Sequence, residues 1–189
     1  MNRLHGALAA LLVNVPIALP ADASTPVASA RGDAEATGVH DFDFMFGDWR
    51  VRHRTLKPGA HAWVEFDGTS TTRSIMGGAG NLEDNVLNPA SGSYRASAVR
   101  AYDAKTAQWA IWWIDGRNPH GVLDPPVKGR FENGVGRFYS DYEQGGKAMR
   151  VRYTWTHATP SSAHWEQATS SDGGATWQTN WTMEFTRIE

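Results

Sequence analysis

The residues best suited by type and spacing to do chemistry fall in one run, WAIWWIDGRNPHGVLDPPVKGR, from Trp109 to Arg130. Asp115, Arg117 and His120 lie within six residues of one another, with Asn118 between them. An Arg beside a carboxylate keeps it ionised, and an imidazole titrating near neutrality can carry a proton. That grouping suits acid/base work in a cofactor-independent lyase, isomerase or hydratase, with Asp115 and His120 as catalysts. Glu166 on a late strand would join them if it faces inward. The same polar heads suit a second task. Three Trp among the five residues from Trp109 to Trp113 precede them, and an aromatic wall with a polar rim is the form of a small-molecule site. Arg117, Asn118 and His120 would then grip the polar end of a ligand. A plainer alternative is that Asp115 caps its own loop and Arg117 pairs with it.

Other chemistries find little support. The chain has no Cys, which removes thiolate catalysis, disulfides and Cys-based metal sites together. No G-x-S-x-G elbow is present. The seven His, at positions 5, 40, 53, 61, 120, 157 and 164, show neither H-x-H nor HExxH spacing. A metal or haem site from His53, His120 and His157 would have to assemble across strands, so no cofactor and no metal is expected. His53 and His157 read instead as hydrogen-bonded wall residues. Arg50, Arg52 and Arg54 share one strand face, and Arg150 and Arg152 another. They would suit phosphate or an acidic partner, but an outer, solvated barrel face is the commoner use of such runs and also blocks edge pairing.

The elements that would position these residues are strands. With 189 residues and 41% apolar content, the chain suits one globular domain. A net charge of −2 and a pI near 6.4 give no basic field, so nucleic acid is not an expected partner. From Asp41 onward no long stretch has helical apolar spacing, whereas period-two alternation recurs. Strands are expected at Trp49 to Thr55, Trp63 to Ser74, Glu83 to Leu87, Tyr94 to Tyr102 and from Trp109. Gly129 to Glu132, Val135 to Tyr142, Met149 to His157, Ala163 to Ser170 and Thr176 to Arg187 complete the set. Turns fall at the IMGGAG run of Ile75 to Gly80, at Asn133-Gly134 and at Gly145-Gly146. Ser170 to Trp177 matches S-x-D-x-G-x-T-W, an Asp-box hairpin. One copy in the chain excludes a propeller. On the last strand Trp177, Thr179, Trp181, Met183, Phe185 and Arg187 are expected on one face.

Eight to ten short-looped strands must resolve their exposed edges, and closure into a single antiparallel meander β-barrel does so. The recurrent interior candidates are Trp, Tyr and His, which suit a cavity that is lined rather than filled. The expected wall includes Trp49, His53, Trp63, Arg100, Trp113, Tyr139, Tyr153, Trp155, Trp165 and Trp181. Residues 1–30 read as an exported leader, with Arg3 before the apolar run Ala7 to Leu19 and cleavage after Ala23 or Ala30. That implies a periplasmic or secreted protein without a stable membrane anchor, the apolar run being too short. Residues 31–40 are a flexible lead-in, residues 41–189 are the barrel domain, and the sequence is silent on oligomeric state.

Gly47-Asp48-Trp49 resembles the G-x-W motif of lipocalins. There the Trp closes one end of the barrel and an Arg from the last strand packs over it, a role the resemblance assigns to Arg187. Over Asp41 to Arg187 the chain resembles a family of uncharacterised bacterial lipocalin-like barrels of the DUF1579 type. DFDFMFGDWRVRHR, DGRNPHGVLDPP and SSDGGATWQTNWTMEF carry that likeness. The resemblance implies a lipocalin/calycin-like fold and no settled activity. Haem held by a lone axial His is a device of nitrobindin-like barrels, and nothing singles out such a His here. The reading is therefore an exported barrel whose aromatic cavity takes a small hydrophobic, amphipathic or aromatic molecule, with acid/base catalysis in the same cavity as the alternative.

Overall fold

Alternating apolar and polar side chains give each extended segment one face for an interior and one for water. The computed structural model describes residues 38–57 and 59–189, apart from the side chains of 157 and 158, and contains ten such strands. They are β1 (Gly47–Thr55), β2 (Val64–Ile75), β3 (Gly80–Leu87), β4 (Tyr94–Asp103) and β5 (Gln108–Asp115), followed by β6 (Val127–Glu132), β7 (Val135–Gln144), β8 (Lys147–Thr159), β9 (Ser162–Ser170) and β10 (Gln178–Arg187). Each pairs antiparallel with its sequence neighbour. β1 closes the ring on β10, from Trp49 opposite Arg187 to Thr55 opposite Trp181. The closed antiparallel meander barrel expected from alternation is the observed fold. The expected leader and most of the lead-in lie outside the described residues.

Two local expectations change. The IMGGAG turn is confined to Met76–Gly78, and β3 starts at Gly80, so the third strand is longer than its apolar residues suggest. On β10, Thr179 lies opposite Ala168 while Trp181 lies opposite Gln167, a bulge that inserts Asn180 and switches parity. Trp181, Met183 and Phe185 therefore face inward, whereas Trp177 packs outside, 6.0 Å from Tyr139 and beneath the Arg152 guanidinium. The preceding loop is held by Asp172, whose carboxylate accepts from Ser170 Oγ and from both N and Oγ1 of Thr176. Those donors hold its pKa well below the usual range.

One end of the barrel is plugged. A single 3-10 turn at Asp43–Met45 turns Phe42 and Met45 inward, where they are 1% and 0% exposed. The Phe42 ring meets Trp109 and Phe131 edge-on at 5.1 and 5.0 Å. Trp49 Nε1 donates to Met45 O at 2.8 Å. Arg187 closes the assembly. Its Nη1 and Nη2 donate to Phe46 O and Phe44 O at 2.6 and 2.7 Å, and its guanidinium lies 4.2 Å over the Trp49 ring. Five of the arginines read as outer-facing behave so where partners are seen: Arg52 and Arg54 reach Glu65, Arg150 reaches Asp141 and Arg152 reaches Glu166, while Arg50 is exposed.

Candidate functional site: an aromatic cavity behind an incomplete wall

Closing a ten-stranded barrel leaves an interior that side chains must fill. The plug fills one half. In the other half β4 presents the small Ala98 beside Arg100, and a cavity of about 340 Å³ remains. Trp113 of β5, Tyr153 and Trp155 of β8, Trp165 of β9 and Trp181 of β10 supply its aromatic walls. Their planes cross steeply: Trp165 and Trp181 meet at 85° and 5.6 Å, Trp113 and Trp181 at 79° and 6.0 Å, Tyr153 and Trp165 at 69° and 5.0 Å. Edge-to-face packing of this kind holds each ring in one orientation, so the walls are built before any ligand arrives.

The wall is incomplete on one side. β6 pairs with β5 only along Trp109 to Ile111, and with β7 only as far as Tyr139. The remainder of β5, Trp112 to Asp115, and of β7, Ser140 to Gln144, has no strand between. The loop from Gly116 to Pro126 spans that gap, and Asp124 and Pro125 from it line the cavity. Near this mouth Val122 is 98% exposed and Leu123 about half exposed. Ser140, Tyr142, Gln167 and Thr169 give the neighbouring wall its polar atoms. Burial pushes the Tyr153 phenol up to about 12, and the carboxylate of Asp124 acts in the same direction. Tyr153 is thus a neutral hydrogen-bond donor across the physiological range.

A buried charge pair sits at the floor. Arg100 is 1% and Glu83 2% exposed. Asn81 lies opposite Arg100 and Glu83 opposite Ala98, so the guanidinium reaches both neighbours on β3. Nη1 donates to Asn81 Oδ1 at 2.9 Å and Nη2 to Glu83 Oε2, while Glu83 Oε1 accepts from Ser70 at 2.7 Å. The guanidinium lies against the rings of Phe42 and Trp155, at 4.9 and 5.2 Å. Arg100 Nε, Asn85 Nδ2 and Thr72 Oγ1 are enclosed without a hydrogen-bond partner among the described residues. Glu83, Asn81 and Ser70 were not among the residues singled out by sequence. The signal for them is a run of polar residues at alternate positions, Asn81, Glu83 and Asn85, continuing into the inward-facing Leu87.

Of the residues marked by sequence, Arg100, Trp113, Tyr153, Trp165 and Trp181 come together around this cavity. The others do not. His53 is buried in the wall beyond the cavity, stacked 4.7 Å from Phe66 and accepting at Nδ1 from Trp181 Nε1 at 3.3 Å. Burial lowers its pKa to about 4, so it is a neutral ring. Trp63 lies outside under Arg54, at 5.1 Å, and Tyr139 lies outside under Arg150, at 5.3 Å. The side chain of His157 lies outside the described residues. Among the described residues no three His, Asp or Glu side chains group to hold a metal.

The expected catalytic set is not assembled. Glu166 sits between inward-facing Trp165 and Gln167, so strand parity sends it outward to Arg152, at 3.3 Å. Asp115 accepts Arg117 N at 2.9 Å and Arg117 Nη2 at 2.6 Å, which caps the loop and holds its pKa below the ordinary carboxylate value. Arg117 in turn stacks 3.8 Å over Tyr94. Asn118 and His120 are exposed on the same loop and do not line the cavity. The plainer reading of Asp115 and Arg117 as a self-capped turn is the one the geometry matches.

No family model matches the chain, and no curated protein matches it. Solved structures do. The S-type phycobiliprotein lyase CPES from Guillardia theta aligns with a TM-score of 0.57 at 11% identity, over 85% of this chain and 98% of that one. Rv2717c from M. tuberculosis aligns with a TM-score of 0.54 at 10% identity, over 80% of this chain and 98% of that one. At such identity the likeness is one of fold.

Proposed function

We propose that the barrel binds a small, largely aromatic molecule in the cavity walled by Trp113, Tyr153, Trp165 and Trp181. The observation that carries this is an interior half left unfilled, with its rings already locked at steep angles and an open gap beside it. About 340 Å³ lies at the small end of ligand pockets, while an apolar cavity of about 150 Å³ takes benzene. The volume therefore suits one or two fused rings with a short substituent. Tyr153, Tyr142, Ser140 and Gln167 offer it neutral hydrogen bonds on one side. A phycobiliprotein lyase among the fold neighbours suits a barrel of this kind having a small-molecule partner, but at 11% identity it brings no active-site residue across. The resemblance to DUF1579-type barrels fits the same reading, as does export on the pattern of residues 1–30.

Tryptophan emission of the purified protein tests the binding reading, because four Trp line the cavity. Titration with naphthalene and indole derivatives is expected to quench or shift the emission saturably, and Trp165→Ala to weaken it at least tenfold. His120→Ala, in the exposed loop, is expected to leave it unmoved. Emission unchanged across aromatic, phenolic, isoprenoid and fatty-acid probes would remove the binding reading. Export is tested separately by the N-terminal sequence of protein recovered from the periplasm, which is expected to begin after Ala23 or Ala30.

A further inference from the structure

The cavity has a charge as well as a shape. Three formally charged side chains line it: Glu83, Arg100 and Asp124. Arg100 and Glu83 cancel, being joined Nη2 to Oε2 in a pair each about 2–3% exposed at its side chain. The charge of that Arg is thus already met inside the pair, before any anion enters. Its Nη1 is held by Asn81, the Phe42 and Trp155 rings lie 4.9 and 5.2 Å from the guanidinium carbon, and Nε is enclosed. The mouth cation, Arg117, is likewise occupied by Asp115. Asp124 has no ion-pair partner among the described residues. It leaves the lining with one net negative charge at the mouth.

The walls favour the same sign. Aromatic rings carry a negative face and a positive edge, and several rings set at steep angles are the means by which proteins cage ammonium groups. Trp113, Trp165, Trp181 and Tyr153 are so arranged behind Asp124. A carboxylate entering this space would lose its hydration against aromatic rings and one carboxylate, and the one cation in the lining, Arg100, is already paired with Glu83. From these contacts we infer that the ligand is a cation, an aromatic or compact amphiphile bearing a protonated amine or quaternary ammonium group, and that fatty acids and aryl carboxylates are rejected. This rests on the binding reading above and adds the sign of the charge to it.

A trio of probes with one ring system separates the two. Calorimetric titration of the full chain with naphthylmethyl-trimethylammonium, naphthylmethanol and naphthylacetate compares cation, neutral molecule and anion at constant shape. The ammonium compound is expected to bind roughly tenfold tighter than the acetate, with the alcohol between them, from one desolvated cation–π contact plus one carboxylate at the mouth. Asp124→Asn, on an exposed loop, is expected to narrow the gap between the ions, and an unchanged gap would overturn the charge inference. Alcohol binding accompanied by equal or tighter acetate binding would overturn the charge inference and leave the binding reading standing. Failure of all three probes to bind the folded protein would overturn both.

Discussion

Replacing Arg100 by Met removes the positive half of the most deeply buried ion pair described in the barrel. The variant keeps most of the side-chain volume, so the cost is electrostatic rather than a cavity. Glu83 would be left 2% exposed, with Ser70 as its one remaining partner. Breaking such a pair costs about 3–5 kcal/mol because an uncompensated charge stays behind. Loss of the guanidinium's contacts with the Phe42 and Trp155 rings adds to it. For a domain of this size each kcal/mol moves Tm by about 2–4 °C, so a fall of roughly 10 °C is expected. Arg100→Met with Glu83→Leu removes both charges. It leaves only Ser70 and Asn81 to find other partners, at about 1–3 kcal/mol. The double variant should therefore be more stable than Arg100→Met alone by about 2 kcal/mol. Urea unfolding followed by tryptophan emission measures all three. A single variant within about 1 kcal/mol of wild type, or a double variant costing the sum of its singles, would refute the view that the pair is enclosed and self-compensated.

Three further outcomes follow from the wall and its plug. Arg187→Ala frees the carbonyls of Phe44 and Phe46 and uncovers Trp49, so a loss of about 2–4 kcal/mol is expected in the same unfolding assay; a change below about 0.5 kcal/mol would contradict its closing role. The neutral, buried state of His53 means that the folded protein binds fewer protons than the unfolded chain between about pH 4 and its ordinary 6.5. Stability is thus full above pH 6.5 and is lost as pH falls toward about 4; a His53→Phe variant should lack that limb in a pH series of unfolding midpoints, and an identical profile would count against it. A methyl at Gly68 would collide with the Val86 carbonyl oxygen and sit 2.8 Å from His53 Nε2, so Gly68→Ala is expected to cost about 1–3 kcal/mol, and full stability of that variant by thermal melting would show the approach to be looser than described.

The barrel was legible because alternation runs unbroken on most strands, as in Arg50 to Arg54 against Trp49, Val51 and His53. Parity misled at two kinds of place. A bulge at Asn180 turns Trp177 outward although residue counting places it with Trp181, and bulges leave no compositional mark. On β3 the apolar residues Leu82 and Val86 occupy the face opposite to Asn81, Glu83 and Asn85. Apolar preference alone would turn that strand over, and it is partners on the flanking strands, Arg100 and Ser70, that meet its polar face inside. The candidate site divided in the same way. Trp113, Tyr153, Trp165 and Trp181 could be found because long-range closure gathers residues of one parity. Asp115, Arg117 and His120 drew attention by proximity in sequence, yet nearness along a loop let Asp115 and Arg117 satisfy each other instead of facing a ligand. Asp124, four residues on, is the loop carboxylate that reaches the cavity.

The central claim is that this cavity is where a ligand sits, and filling it tests that most directly. Val151 lines the cavity and is not fully enclosed, so Val151→Trp would occupy much of the about 340 Å³ from inside while the plug and the Arg100 pair stay intact. Calorimetry with naphthylmethanol is expected to show one saturable site in the wild-type protein and none in the folded variant. Undiminished binding by the folded variant would place the ligand elsewhere and contradict the account.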